Sequence, residues 1–76
     1  MTNKLKWVTV ESTAINAVAY NRERKVLHIE FKRGVIYSYT GIGYHRYKQL
    51  IQAESVGQYY NQAIRPAGHI KEEATQ

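Results

Sequence analysis

FKRGVIYSYTG, residues 31–41, is the stretch that decides the fold of this chain. It follows residues 26–31, in which apolar and polar side chains alternate as they do in a half-buried strand. A Lys-Arg-Gly turn comes next, and Gly34 can adopt the positive φ that a tight hairpin needs. Residues 35–40 form a second strand that carries a Tyr-x-Tyr pair. The stretch therefore predicts an antiparallel hairpin.

Two further β-prone segments precede this hairpin. Residues 15–20, INAVAY, form a strand, and the polar loop at residues 21–25 has a length that closes a hairpin. Three consecutive strands with short connections make an antiparallel meander. Residues 7–10, WVTV, are a fourth edge strand or an extended lead-in.

After Gly41 the apolar period changes from that of a strand to that of a helix. The apolar positions of this segment form one stripe: Tyr44, Tyr47, Leu50 and Ile51. Residues 55–58, Ser-Val-Gly-Gln, match a capping box that begins a second short helix. Pro66 ends that helix.

The sequence predicts an α+β fold, a three- or four-stranded antiparallel β-meander with two short C-terminal helices packed on one face. We expect a flexible N-terminus over residues 1–6, a single domain over residues 7–66, and a polar, mobile tail over residues 67–76. The chain has no cysteine, which excludes disulfides and favours a reducing compartment. No apolar run approaches the roughly 20 residues that span a bilayer, so we expect a cytoplasmic protein with no membrane contact.

The hairpin turn decides which face of the sheet carries Tyr37 and Tyr39. With a two-residue loop, Phe31 pairs with Ile36, and both tyrosines lie on the face opposite the helices. With a three-residue loop, Phe31 pairs with Val35, and both tyrosines join the core. We favour the two-residue loop because it buries Ile36, whereas a buried tyrosine needs a hydrogen-bond partner for its hydroxyl.

Six short segments, in this order and spacing, resemble a known family. They are residues 10–15 (VESTAI), 17–20 (AVAY), 31–34 (FKRG), 36–41 (IYSYTG), 47–51 (YKQLI) and 57–65 (GQYYNQAIR). Together they are similar to the KTSC domain, a small bacterial domain that occurs alone and at the C-terminus of some lysyl-tRNA synthetases. The chain departs from the usual family pattern at Gly43-Tyr44, where prolines are common, and at residues 32–34, where an Asn-Gly turn is typical. RNA binding has been suggested for this family, so the resemblance implies such a role here. The resemblance transfers no catalytic residue.

The residues themselves also favour a nucleic-acid-binding surface. Tyrosines on a sheet face stack on bases while neighbouring Lys and Arg side chains contact phosphates. The residues predicted for this role are Tyr37, Tyr39, Lys32, Arg33, Arg22, Arg24 and Lys25. The formal net charge of +5 suits a polyanionic partner. The alternative is that the tyrosines simply favour strands and the loop charges keep a small domain soluble.

Other candidate chemistry is sparse. Asn61 and Arg65 lie one turn apart near the end of the second helix, where they bind an anion or serve the local structure. The three histidines have no paired spacing, so we expect no metal and no other cofactor. With no Asp or Cys, no carboxylate pair and no glycine-rich phosphate loop, we expect no enzymatic activity.

The sequence thus predicts a small basic domain that binds single-stranded or structured RNA through an open sheet face and its basic loops. The alternative is a protein-interaction or regulatory module with no nucleic-acid role. Such a module would use a sheet edge or an apolar patch around Trp7 to bind a protein partner. A structural dimerising domain is a third hypothesis.

Overall fold

The computed structural model describes residues 6–66 and the backbone of residues 69–73. Within these residues, five strands form one antiparallel sheet whose spatial order follows the chain. The strands are β1 (Val8–Thr9), β2 (Ile15–Asn21), β3 (Val26–Phe31), β4 (Ile36–Thr40) and β5 (His69–Glu73). The helical part comprises α1 (Tyr44–Gln52), α2 (Val56–Tyr59) and a π-helical segment (Tyr60–Ile64) that continues α2.

The predicted α+β fold is confirmed. The strands β1–β4 form the antiparallel meander, and the helices pack on one of its faces. Tyr47 of α1 stacks on Tyr20 of β2, and Tyr60 of the π-helical segment contacts the ring of Tyr39 in β4. The buried core between the layers is made of Ile15, Val18, Leu27, Ile29, Tyr39, Ile42, Leu50, Val56 and Ile64.

The two helices begin differently. α1 follows Gly43, with no side-chain cap and no acidic residue in its first turn. α2 begins after Ser55, whose Oγ accepts a hydrogen bond from the Gln58 N–H at 3.3 Å, as the capping-box pattern predicts. None of the helices in the described part of the chain has the length and apolar character needed to cross a membrane.

A fifth strand lies in the segment that the sequence suggests is a polar tail. β5 pairs with β4 from Thr40 opposite His69 to Ile36 opposite Glu73. A polar segment can form such a strand because its main-chain groups pair with β4, whose N–H and C=O groups would otherwise remain at a sheet edge. The sheet therefore extends into the tail over residues 69–73. Of the flexible N-terminus predicted for residues 1–6, residues 1–5 lie outside the described residues.

The β3–β4 hairpin has a three-residue loop, so the favoured two-residue register is wrong. Glu30 pairs with Ile36, and the Phe31 N–H donates to the Val35 carbonyl at 2.9 Å. Residues 32–34 are therefore the loop. A shift of one residue moves every side chain of a strand to the other face of the sheet, and this shift carries both tyrosines of β4 to the helix-covered face.

This register is favoured because it buries the ring of Tyr39 in the core. Tyr39 is 0% exposed and stands opposite Leu27, whereas Ile36 is half-buried on the other face. A tyrosine ring buries a larger apolar area than an isoleucine side chain. The hydroxyl of Tyr39 also finds a hydrogen-bond partner in the hydroxyl of Tyr60, which removes the cost of burying it.

Candidate nucleic-acid interface

The basic residues predicted to bind nucleic acid lie in two separate turns. Arg22, Arg24 and Lys25 lie between β2 and β3, and Lys32 and Arg33 lie between β3 and β4. All of these residues are exposed. β3, which separates the turns, has 6 residues. At roughly 3.3 Å per residue the two ends of β3 are about 17 Å apart, so these cations do not form one continuous patch.

Tyr39 is a core residue. Its side chain is 0% exposed, and its hydroxyl forms a hydrogen bond with the hydroxyl of Tyr60. Burial, assisted by this hydrogen bond, raises the pKa of Tyr39 well above its ordinary value. Because the side chain is fully buried, its ring offers no free face to a base.

Tyr37 is half-buried on the same face of the sheet. Its hydroxyl accepts a hydrogen bond from Arg33 Nη2 at 3.3 Å. Its ring lies edge-on to Phe31, with the centroids 5.4 Å apart and the planes at 63°. The predicted pair of stacking tyrosines thus lies on the helix-covered face, and Arg33 is hydrogen-bonded to Tyr37.

We call these rings the core cluster: Phe31, Tyr37, Tyr39 and Tyr60. Phe31 also contacts Tyr60 at 5.6 Å, and Tyr60 contacts Tyr39 at 5.7 Å, both with nearly perpendicular planes. Edge-to-face pairs of this kind contribute about 0.5–1.5 kcal/mol beyond the area they bury. The core cluster therefore serves mainly to pack the π-helical segment on β3 and β4.

The opposite, helix-free face of β2–β4 carries small and polar side chains. Ala17, Ala19 and Ser38 are buried in it. The Ser38 Oγ lies 2.8 Å from Nδ1 of His28, within hydrogen-bond distance. Over these described strands the register places every aromatic side chain on the other face. This face of β2–β4 therefore provides no ring on which a base could stack.

A second group of side chains forms what we call the surface cluster: Tyr20, Tyr44, Tyr47, Arg22 and Lys48. The rings of Tyr20 and Tyr47 stack with centroids 4.9 Å apart and planes at 10°. The Tyr44 ring is tilted against both, at 6.0 Å from each. Tyr44 is 42% exposed, whereas Tyr20 and Tyr47 are half-buried. Tyr44 is therefore the outermost ring of the cluster.

Two cations lie next to this exposed ring. The Cζ atom of Arg22 is 4.3 Å from the centroid of Tyr44, and the Nζ atom of Lys48 is 6.0 Å from it. Both distances are within the range of cation–π attraction. Arg22 comes from the β2–β3 turn, and Lys48 stands one helical turn after Tyr44 in α1. Two separate elements thus place positive charge at one exposed ring.

Hydrogen bonds hold the surface cluster in place. The Tyr20 hydroxyl donates to the carbonyl of Ile42, and the Ile42 N–H donates to the carbonyl of Lys25 at 3.0 Å. The Asn21 side chain closes the β2–β3 turn by accepting two main-chain N–H groups at 3.1 and 3.2 Å. Burial raises the pKa of Tyr20, although the charge of Arg22 opposes the shift. The turn and the start of α1 are therefore joined before any ligand binds.

The sequence pattern assigns Tyr44 to the apolar stripe of α1, so its exposure was not predicted. A usable signal was the spacing of Tyr44 and Lys48, because side chains at i and i+4 are neighbours on a helix. No sequence pattern indicated that Tyr20 and Arg22 would lie beside Tyr44. Their contact with α1 depends on how the helix packs on the sheet.

Comparison with known proteins places this fold in a family. The model of the KTSC domain matches residues 11–67. The chain belongs to the KTSC domain family. This chain is 29% identical over 62 residues to an uncharacterized protein of Stutzerimonas stutzeri, and the match covers 82% of this chain and 87% of that protein. It is 33% identical over 57 residues to a protein of Tsukamurella paurometabola, covering 75% of this chain and 85% of the relative.

A solved structure has the same fold as this KTSC domain. It is the crystal structure of a KTSC domain protein from Yersinia pestis, with a TM-score of 0.86 and 21% sequence identity. The match covers 93% of this chain and 100% of the other. At that identity the likeness concerns the fold alone.

Asn61 and Arg65 of the KTSC domain lie outside the surface cluster. Asn61 lines a cleft of about 420 Å³ between residues 11–14 and residues 54–58. The exposed Arg65 donates its main-chain N–H to the Tyr60 carbonyl at 2.9 Å, which closes the π-helical turn. The main chain of Arg65 thus has a structural role, and its side-chain role remains a prediction.

Proposed function

We propose that this KTSC domain binds single-stranded RNA at the surface cluster. The proposal is carried by one observation, the exposed ring of Tyr44 with the guanidinium of Arg22 at 4.3 Å. Aromatic rings beside cationic side chains bind single strands by stacking on bases and attracting phosphates. The proposal keeps the predicted basic β2–β3 turn, and it moves the stacking ring from Tyr37 and Tyr39 to Tyr44.

The charge near the surface cluster favours a polyanionic ligand. Arg22, Arg24 and Lys25 outnumber the single acidic residue of their turn, Glu23, and all four are exposed. Lys48 adds a positive charge from α1, whose first turn has no acidic residue. Neutralising phosphates with these side chains releases counterions from the RNA. Binding should therefore be strongest at low salt.

One exposed ring sets a limit on the affinity. A stacked base contributes about 1–3 kcal/mol, as measured by alanine substitution. Each phosphate contact to a single strand changes the slope of log affinity against log salt by about −0.7. We therefore expect modest affinity with a clear salt dependence.

Fluorescence anisotropy with a labelled single-stranded RNA at low salt tests the proposal. Tyr44→Ala should weaken binding by about 5- to 150-fold, which corresponds to the loss of one stacked base. Tyr44→Phe should bind like the natural protein, because the ring and not the hydroxyl forms the stack.

The chain offers a matched control for this experiment. Trp7 is 39% exposed, close to the 42% of Tyr44, and it is not part of the surface cluster. Trp7→Ala should therefore leave RNA affinity unchanged. The proposal fails if the natural protein does not bind RNA at low salt, or if a folded Tyr44→Ala variant binds as tightly as the natural protein.

A protein-interaction role is the second candidate function, and the exposure of Trp7 favours it. Trp7 precedes β1, a 2-residue strand at the edge of the sheet. Tryptophan is enriched among the residues that dominate protein–protein binding energies. In this case Trp7→Ala should abolish a protein complex that survives nuclease treatment. Tyr44→Ala should leave that complex intact.

A further inference from the structure

We infer that the surface cluster receives a single unpaired base at a time, an inference that rests on the proposed RNA binding. Among the described residues, Trp7 and Tyr44 are the large apolar side chains that are exposed. Trp7 lies outside the cluster. Within it, Tyr20 and Tyr47 already stack on each other. Tyr44 is therefore the ring of the cluster that a ligand can reach. The Arg22 guanidinium lies 4.3 Å from its centroid, so a base stacks on this ring by displacing the guanidinium, and one ring accommodates one base.

The position of the cations fits a base that has phosphates on both sides. Arg22 approaches Tyr44 from the β2–β3 turn, and Lys48 approaches it from α1. A nucleotide stacked on Tyr44 brings its own phosphate and that of its neighbour within reach of these two side chains. The planar guanidinium of Arg22 can also stack on the base itself. The site therefore suits a short stretch of single strand.

The same geometry selects against duplex ligands. In a duplex, the faces of internal bases are covered by neighbouring base pairs, so a flat ring on the protein surface cannot reach them. The surface cluster can stack only on an unpaired base or on a strand end. It should accept all bases, because each has a π-face, and purines should bind more tightly because their rings offer more stacking area.

Four RNA ligands test this inference on the whole chain. Three are single-stranded pentamers with equal numbers of phosphates: one in which every sugar lacks its base, one with a single central adenine, and one with adenine at every position. The fourth is a duplex whose two ends are closed by ethylene-glycol linkers, so that no base face is exposed. The single adenine should tighten binding about 5- to 150-fold over the strand without bases. The complete pentamer should add only a small further gain, and the affinity for the closed duplex should be the same for the natural protein and for Tyr44→Ala.

Two variants test whether the gain in affinity from the adenine depends on Tyr44. Tyr44→Ala should remove the difference between the one-adenine strand and the strand without bases, while the affinity for the latter stays the same. Trp7→Ala, the matched control, should retain the full difference.

The outcomes separate the inference from the proposed function. If each further base adds an equal gain, RNA binding at the surface cluster stands and the inference of a single-base site is overturned. If the three pentamers bind equally, no base stacks on the protein, and both the stacking proposed for Tyr44 and the inference fail. Both also fail if the effect of the adenine persists in Tyr44→Ala. If none of the four ligands binds at low salt, both the proposed function and the inference fail.

Discussion

The core cluster and the surface cluster lie on the same face of one sheet, and each has an arginine from a hairpin turn. Arg33 donates a hydrogen bond to Tyr37 in the core cluster, and Arg22 lies over Tyr44 in the surface cluster. Yet the core cluster contains a fully buried ring, Tyr39, whereas Tyr44 is 42% exposed. An arginine next to a tyrosine is therefore not enough to indicate a binding site. The depth of the ring decides what the pair can do.

The elements that cover each cluster explain the difference in depth. The π-helical segment places Tyr60 over the core cluster, where its ring contacts both Phe31 and Tyr39. In the surface cluster, Tyr44 is the first residue of α1. No turn of α1 precedes Tyr44 to shield its outer side. The start of a helix at the margin of a sheet thus leaves an aromatic ring partly in solvent.

The sharpest test of this comparison is the loss of stability on removing each ring. Tyr39→Ala should reduce the free energy of unfolding by about 3–5 kcal/mol, the usual cost of truncating a buried aromatic side chain. Tyr44→Ala should cost at most about 1 kcal/mol, mainly from its lost cation–π contact. Urea unfolding followed by circular dichroism measures both values.

A small domain has a total stability of only about 3–5 kcal/mol, so we expect Tyr39→Ala to be largely unfolded before urea is added. Tyr39→Phe keeps the ring and removes the hydrogen bond to Tyr60, and it should cost about 1 kcal/mol. Equal losses for Tyr39→Ala and Tyr44→Ala would contradict the difference in depth between the clusters.

Substitutions in the two turns that carry these arginines should change the stability of the domain in opposite directions. Gly34 has a φ of 97° and Lys25 a φ of 58°, a conformation that costs a side-chain-bearing residue roughly 1–2 kcal/mol. No atom lies within 4 Å of a Cβ built on Gly34, so the cost of Gly34→Ala is purely conformational. We expect Gly34→Ala to destabilise the domain by about 1–2 kcal/mol.

At the other turn, Lys25→Gly should stabilise the domain by up to about 1 kcal/mol, because relief of strain exceeds the added freedom of the unfolded chain. Thermal unfolding of the two variants measures whether each substitution raises or lowers the stability. A loss of stability in Lys25→Gly would show that the Lys25 side chain contributes more than its backbone strain costs.

The smallest expected effect is that of the arginines on RNA binding. Arg22→Gln and Arg33→Gln each remove one charge, but only Arg22 lies beside the exposed ring. Arg22→Gln should make the slope of log affinity against log salt less steep by about 0.7, as expected for one lost phosphate contact. Arg33→Gln should change the slope much less. Salt titrations of both variants measure this difference, and an equal change would indicate diffuse attraction without a defined site.

Much of the fold could be predicted because its signals are local. Strand alternation up to Phe31, the turn residue Gly34 and the cap at Ser55 each depend on a few neighbouring residues, and the structure contains all three features. The residues of the proposed binding site were harder to predict. The basic β2–β3 turn is exposed as expected, but whether it has a ring beside it depends on contacts between residues far apart in the chain.

By itself, the sequence determined the order of strands and helices up to Pro66, the tight turn at Gly34 and the membership of an α+β family. Only the tertiary structure decided the register of the hairpin, because both loop lengths place Gly34 in the turn and differ by one residue. That one residue sends Tyr39 into the core, where Tyr60 satisfies its hydroxyl. The fifth strand and the exposed Tyr44 likewise depend on distant partners, β4 for the strand and Tyr20, Tyr47 and Arg22 for the ring. Local patterns specify which element forms, whereas packing between elements decides which of its side chains meet solvent.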